Sequence, residues 1–303
     1  MFTCLPHSLP VLASCLAISR QNGTNHSGPI ELFLTSYYVG TNYLASFLIT
    51  TPEGHILINP DYEQSVPLIR ANVERLGFRF PDIKIILISH AHDDDAAGCA
   101  LAKKLTGAKL MVMDGDVEEI EGGGSGDFLY YQHWAPAKVD RILCDGDHVT
   151  VGGMTLIAHL TPGHTKGCTT WTTDIKEGKH VYHVVIVGSP NVNSGCRLIG
   201  NSKYPQVVTD YERPFRVLAS LPCDVFLGAH GVYYGMDDKL KRLRAGGRNP
   251  FIDPEGYRAY IKEREQAFRV ELSAQQKQGE LFNRTRETAW ERLPEITFNN
   301  SAL

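Results

Sequence analysis

Along the first third of the chain, apolar and polar positions alternate in short runs before any helical spacing begins. Leu32 to Val39, Tyr43 to Thr50 and His55 to Asn59 read as three strands of a meander. Gly40-Thr41-Asn42 and Pro52-Glu53-Gly54, between them, are turn sequences. Val66, Ile69, Val73 and Leu76 then fall on one helical face, with Pro67 in the tolerated first turn. Ile83 to Ile88 is almost continuously apolar and predicts a buried strand. Ala96 to Leu105 predicts a helix closed by Gly107 at its C-cap. Lys109 to Met113 is the next strand, and Val117 to Ile120 a short helix.

The second half repeats the theme. His148 to Val151 and Met154 to Leu160 predict a hairpin across Gly152-Gly153, and Cys168 to Thr173 and Val181 to Val187 further strands. Tyr211 to Leu221 is a helix and Val225 to Leu227 a short strand. Asp253 caps a long helix begun by Pro254, with Tyr257, Ile261, Phe268 and Leu272 at core spacing. Two halves that each run strands then helices, without sequence repetition, predict an α/β fold of two sheets packed face to face with helices outside. Glu121 to Gly126 is the loosest segment. No Lys-Ser or Lys-Thr follows it and no strand leads into it, so a mobile loop is expected there rather than a phosphate cradle.

Composition narrows this little. The chain has 303 residues, 43% hydrophobic and 21% charged, ordinary for a soluble globular protein. One domain is expected over residues 29–280, with 281–303 a C-terminal tail. A net charge of −4 gives no footprint for nucleic acid or an anionic membrane. No run of apolar residues is long enough for a transmembrane helix, which needs about 20. Seven cysteines without C-x-x-C spacing argue against a zinc finger or a redox pair. Residues 1–28 read as a poor or truncated export signal and a linker. Met1 to Ile18 is apolar but carries Pro6, His7 and Pro10, with no Lys or Arg before Arg20. Leu12-Ala13-Ser14-Cys15 resembles a lipoprotein cleavage box. A periplasmic or secreted location is the resulting expectation.

Candidate chemistry centres on His90-Ala91-His92-Asp93-Asp94-Asp95, at the C-terminal end of the Ile83–Ile88 strand, where open α/β sheets place their ligands. Two histidines two apart can point the same way, and Asp94 enters from the first turn of the following helix. Zinc takes His nitrogen and Asp oxygen at roughly 2.0–2.2 Å. The competing reading is a polar loop that happens to hold two histidines. Against it stand the acidic cluster and two distant histidines, His164 and His230, each directly after a strand on a glycine-containing turn. His7, His26, His55, His133, His148, His159, His180 and His183 lack that setting and read as structural.

With these residues placed, the chain resembles metallo-β-lactamase-fold hydrolases, whose signature is H-x-H-x-D-H followed by two strand-end histidines. The resemblance covers residues from about 31 to 275, and implies a four-layer αβ/βα sandwich with two mixed sheets face to face. It also implies zinc, one or two ions. His90, His92 and His164 would bind the first, and Asp94 and His230 the second, with Asp95 standing where the motif has its final histidine. Thioesterases, lactonases and tRNA-processing nucleases of this fold carry a bridging aspartate after the strand that follows His164. Here that strand runs into Gly188-Ser189-Pro190-Asn191-Val192-Asn193, as in the third subclass of class B β-lactamases. Gly163-His164-Thr165, Gly167 to Trp171 and Leu221 to Asp224 resemble that subclass too. Ser189 and Asn193 would then face the substrate's carboxylate. Members often pair a cysteine at Cys223 with one in the last helix, but Tyr257 occupies the matching place. No such disulfide is expected, and the remaining cysteines read as buried or inert.

The resemblance therefore implies a zinc-dependent hydrolase that opens the β-lactam ring of antibiotics by attack of a metal-bound hydroxide. Asp94 would be ligand and orienter of that nucleophile, with activity reduced by Asp95. The motifs of serine β-lactamases, Ser-x-x-Lys with Lys-Thr-Gly, are absent. The expected partner is a small-molecule β-lactam. Two alternatives stay open: another hydrolase of this fold acting on a lactone, thioester or phosphodiester, or a weakly active metal-binding relative.

Overall fold

Aliphatic runs bounded by glycine and proline become strands in two groups in the computed structural model, which describes residues 28–33, 35–130 and 132–290, with side chains through residue 280. The first group is a seven-stranded sheet in sequence order: β1 (Ile30–Phe33), β2 (Ser36–Tyr38), β3 (Phe47–Thr51), β4 (Gly54–Ile58), β5 (Ile83–Leu87), β6 (Lys109–Met113) and β7 (Arg141–Leu143). β1 to β4 are antiparallel and β4 to β7 parallel. The second is a five-stranded sheet of β8 (His148–Val151), β9 (Met154–Leu160), β10 (Thr169–Glu177), β11 (His180–Val187) and β12 (Val225–Gly228), in the order β12-β11-β10-β9-β8. Only β11 and β12 run parallel within it. The helices are α1 (Val66–Arg75), α2 (Asp93–Ala96), α3 (Cys99–Thr106), α4 (Val117–Glu121), α5 (Val207–Ser220), α6 (Met236–Ala245) and α7 (Pro254–Trp290).

The continuous apolar runs have a physical cause: both faces of the first sheet are covered. On β3, β4 and β5, Phe47, Ile49, Ile56, Ile58, Ile85 and Leu87 belong to one core with Trp171 and Ile186 of the second sheet. The alternate residues Leu48, Leu57 and Ile86 belong to another, with Ile69 and Val73 of α1 and Ala102 of α3. The period of two along a strand sends neighbouring aliphatics to opposite layers. α5 and α7 cover the far side of the second sheet, where Tyr211 stacks on Phe268 at 5.6 Å. Sheets inside and helices outside give the four-layer sandwich expected from the sequence.

Several boundaries differ from the sequence reading. Leu32 to Val39 is two strands, because the chain turns back between Phe33 and Ser36 and pairs with itself. The helix expected over Ala96–Leu105 is broken into α2 and α3 at Ala97-Gly98. Gly98 explains the break: it presses on the loop after β4, where a Cβ would sit 2.4 Å from the Pro60 carbonyl oxygen. Its N–H donates instead to Asp61 O at 2.7 Å. β7 and α6 have no counterpart in the sequence reading. The apolar signal of α6 is Met236 and Leu240 within a run of charges. The glycine segment after Ile120 is held rather than loose. Gly124 N–H donates to Glu119 O at 2.8 Å and Trp134 N–H to Gly123 O at 3.0 Å. A Cβ on Gly124 would strike the Trp134 ring at 2.2 Å.

Cys99, Cys144, Cys168, Cys196 and Cys223 are all free thiols, and Cys144 is exposed rather than buried. Tyr257 takes the place opposite Cys223 and donates its hydroxyl to Leu218 O at 2.8 Å. α7 runs to Trp290, into the segment read as a tail. The export-signal reading of residues 1–28 and the end of the tail fall almost wholly outside the described residues. No described helix is long and apolar enough to cross a membrane.

Candidate metal centre

β5 delivers His90 and His92 from the loop after its C-terminal end, and α2 begins at Asp93, so Asp94 and Asp95 lie in that helix's first turn. β9 ends before His164, and β12 ends before His230. The two sheets carry these loops to one edge of the sandwich. The His90 ring lies 5.0 Å from His92 and 4.5 Å from His164, centroid to centroid, and His92 lies 4.8 Å from His164. One ligand atom from each of these three falls within 4.8 Å of the others. A second such group joins His90, Asp94, Asp95 and His230. All six residues singled out from sequence as metal ligands therefore converge. Asp94 lies between the groups, with Oδ1 3.8 Å from His90 Nε2 and Oδ2 3.7 Å from His230 Nε2.

The chemistry of this cluster fits a divalent cation. Both ring nitrogens of His90, Nε2 of His92, Oδ1 of Asp94 and both oxygens of Asp95 are buried without an aligned hydrogen bond. No lysine or arginine pairs with these carboxylates among the described residues. Unpaired buried polar groups are costly, and coordination to a cation satisfies them together. Burial, and then the charges of the neighbouring histidines, hold His90 and His164 well below the usual imidazole range. Burial likewise lowers His230. A lowered value favours the neutral imidazole, the form that binds metal. Burial, followed by the Asp94 charge, pushes Asp95 well above the usual carboxylate range.

The ligand loops are tied together by a residue absent from the sequence reading. Asp116, just before α4, is 1% exposed. Its carboxylate accepts from Ala91 N–H at 2.9 Å, from the Thr165 hydroxyl at 2.7 Å and from Gly167 N–H at 2.7 Å. Asp127, at the end of the glycine segment, is also buried and accepts from Leu129 N–H at 2.8 Å and from Tyr130 N–H. Its Oδ2 comes within 3.5 Å of His92 Nε2. Nothing local in the sequence marks either aspartate, since their partners lie in distant loops.

Ser189 follows β11 and is 1% exposed, its hydroxyl 3.1 Å from that of Tyr233. Asn193 lies on the same loop, and its backbone carbonyl accepts from Cys196 N–H. The asparagine that reaches Ser189 is Asn191, which donates to Ser189 Oγ at 3.4 Å. Asn191 also ties this loop to the metal centre: its carbonyl accepts from His164 Nδ1 at 2.9 Å and from the Tyr211 hydroxyl at 3.0 Å. Arg264 of α7 donates to Asn191 Oδ1 at 3.2 Å. Arg264 and Tyr233 escaped the sequence reading because a basic or aromatic residue in a helical stretch carries no signal of what it faces.

The family model described as the metallo-beta-lactamase superfamily matches residues 40–177. Native FEZ-1 metallo-beta-lactamase from Legionella gormanii is similar at 47% identity over 83% of this chain and 98% of that one, with a TM-score of 0.82. BJP-1, a subclass B3 metallo-beta-lactamase of Bradyrhizobium japonicum, is similar at 37% identity over 85% of this chain and 98% of its own, with a TM-score of 0.79. A hydroxyacylglutathione hydrolase from Pseudomonas syringae pv. syringae (strain B728a) is 33% identical over 89 residues, which span only 27% of that relative and 29% of this chain.

Proposed function

This chain belongs to the metallo-beta-lactamase superfamily and is one of its metal-binding hydrolases, and from that premise we propose that it hydrolyses the β-lactam ring with zinc as its metal. One observation carries the reading: six metal-ligand candidates converge at a strand-end edge whose neighbouring loop offers Ser189, not a carboxylate.

His90, His92 and His164 are the residues for a first zinc, and Asp94, Asp95 and His230 those available to a second. Zinc, when bound, supplies Lewis acidity and brings the pKa of water to about 7. Asp94 faces both groups, so its carboxylate would accept a hydrogen bond from the attacking water, aim it at the lactam carbonyl, and pass its proton to the ring nitrogen as the C–N bond breaks. Asn191 fixes His164 through Nδ1 and so sets which face of that ring looks into the cluster. Ser189 and Asn193, with Asn191 and Arg264 behind them, hold the substrate's carboxylate, Ser189 by exchanging its Tyr233 partner for the ligand. The ring is thereby held against the cluster in one orientation, which is where positioning lowers the barrier.

A thioester hydrolase is the second reading, favoured by the partial match to the hydroxyacylglutathione hydrolase. Zinc-loaded protein assayed on a penicillin, a cephalosporin and a carbapenem, beside a lactone and a glutathione thioester, separates the two. We expect kcat/KM to be highest on a β-lactam. Preferential turnover of the thioester would overturn the proposal.

A further inference from the structure

Each histidine of the first group has one ring nitrogen turned toward an acceptor outside that three-histidine group. His164 Nδ1 lies 2.9 Å from Asn191 O, and His92 Nε2 lies 3.5 Å from Asp127 Oδ2. For His90 the corresponding group is Asp95: Nδ1 lies 2.7 Å from Asp95 Oδ2, and both side chains are 0% exposed. The contact is close but not aligned as a hydrogen bond. A metal-binding histidine commonly donates its second N–H to a carboxylate or carbonyl, which fixes tautomer and ring orientation. An isolated buried carboxylate is costly, and the approach to His90 Nδ1 is the one ion-pair contact that Asp95 makes among the described residues.

We propose that Asp95 is a positioning residue for His90: it receives the Nδ1–H, leaves Nε2 for the first zinc, and does not serve as a ligand of a second. The inference rests on the three-histidine reading above and revises the place of Asp95 within it. Nε2 of His90 faces the cluster, 3.8 Å from Asp94 Oδ1, so the ring is already turned the required way. With Asp95 committed to His90, the second group keeps Asp94 and His230 as its protein ligands. Two protein ligands are fewer than the three usual for a catalytic zinc. The three-histidine site, by contrast, has three ligands with three outer acceptors. The chain is then a one-zinc protein in which an aspartate has moved from second-ion ligand to support of the first.

The test measures zinc itself. Native mass spectrometry of the full chain at modest zinc excess should find one ion per chain, and two ions of comparable affinity would overturn the inference. Asp95→Ala should weaken the first zinc by about 10–100-fold in competition with a chelator, as loss of an outer partner does. Asp95→Asn, which keeps an acceptor oxygen, should recover part of that affinity. Unchanged affinity for the first zinc in Asp95→Ala sinks the idea. In the zinc-loaded wild-type chain, long-range 1H–15N correlation should place the His90 proton on Nδ1, and a proton on Nε2 has the opposite meaning. His164→Ala separates the two levels: if that variant keeps its zinc, the three-histidine site itself is wrong, whatever Asp95 does.

Discussion

The carboxylate of Asp116 accepts the Thr165 hydroxyl at 2.7 Å, and that bond holds the His164 turn against the loop of His90 and His92. The same carboxylate takes the backbone N–H groups of Ala91 and Gly167, so one buried side chain sets the spacing of two ligand loops from different sheets. Asp116→Ala leaves those donors buried without an acceptor, at about 1–3 kcal/mol each. Urea denaturation should show a loss of about 3 kcal/mol, with zinc affinity falling in parallel. A change within the ~0.5 kcal/mol expected of surface substitutions would show that the crosslink is not what holds the loops.

His164 is the ligand candidate from the second sheet in the first group. His164→Ala should abolish hydrolysis and lower the zinc count, read by activity and mass spectrometry on the same sample. Wild-type turnover in that variant removes His164 from the site.

Ser189 is expected to bind and not to react. Ser189→Ala removes hydrogen bonds of roughly 0.5–1.5 kcal/mol, somewhat more toward a carboxylate. That should raise KM by about 2- to 13-fold and leave kcat near wild type. A collapse of kcat at unchanged KM would contradict this role.

Asp95→His restores the superfamily's ligand pattern at the cost of the His90 contact. Gain of a second zinc with a rise in kcat/KM of roughly tenfold, about 1.4 kcal/mol of transition-state stabilisation, is the expected outcome. Steady-state kinetics beside a zinc count decide it, and a variant that gains neither ion nor rate would show that position 95 does not limit the second site.

Acid stability should depend on a pair far from the metal centre. Burial raises Asp140 somewhat, but the Lys103 ammonium at 2.5 Å and the Leu110 N–H at 2.8 Å bring it below the usual carboxylate range. A carboxylate depressed by folding contributes stability that is complete above its unfolded pKa of about 3.9 and is lost as pH falls through the lower folded value. Asp140→Asn should therefore cost ~0.2–1 kcal/mol at pH 6 and progressively less below pH 4. A cost that stays constant from pH 6 to pH 3 would mean the pair is not charged in the way described.

Two sheets face to face with helices outside, and most of the metal cluster, were legible in the sequence for physical reasons that are local. Ile83 to Leu87 is apolar at nearly every position because two different layers bury its two faces, and such a run is visible without coordinates. His90, His92, Asp94 and Asp95 lie within one six-residue stretch after that strand, and His164 and His230 share its strand-end setting, so spacing marked the histidines and Asp94, and the family resemblance added Asp95. The tertiary structure decided what depends on distance in space rather than in sequence. Gly98 breaks a helix because Pro60, from another segment, leaves no room for a Cβ. Asp116 reaches Thr165 and Asp127 reaches His92 across loops that no periodicity connects. Asp95 shows the division in one residue: the sequence placed it where a histidine ligand is expected, but only the packing put its carboxylate 2.7 Å from His90 Nδ1. That distance depends on how the His90 ring packs against the first turn of α2, which no spacing along the chain records.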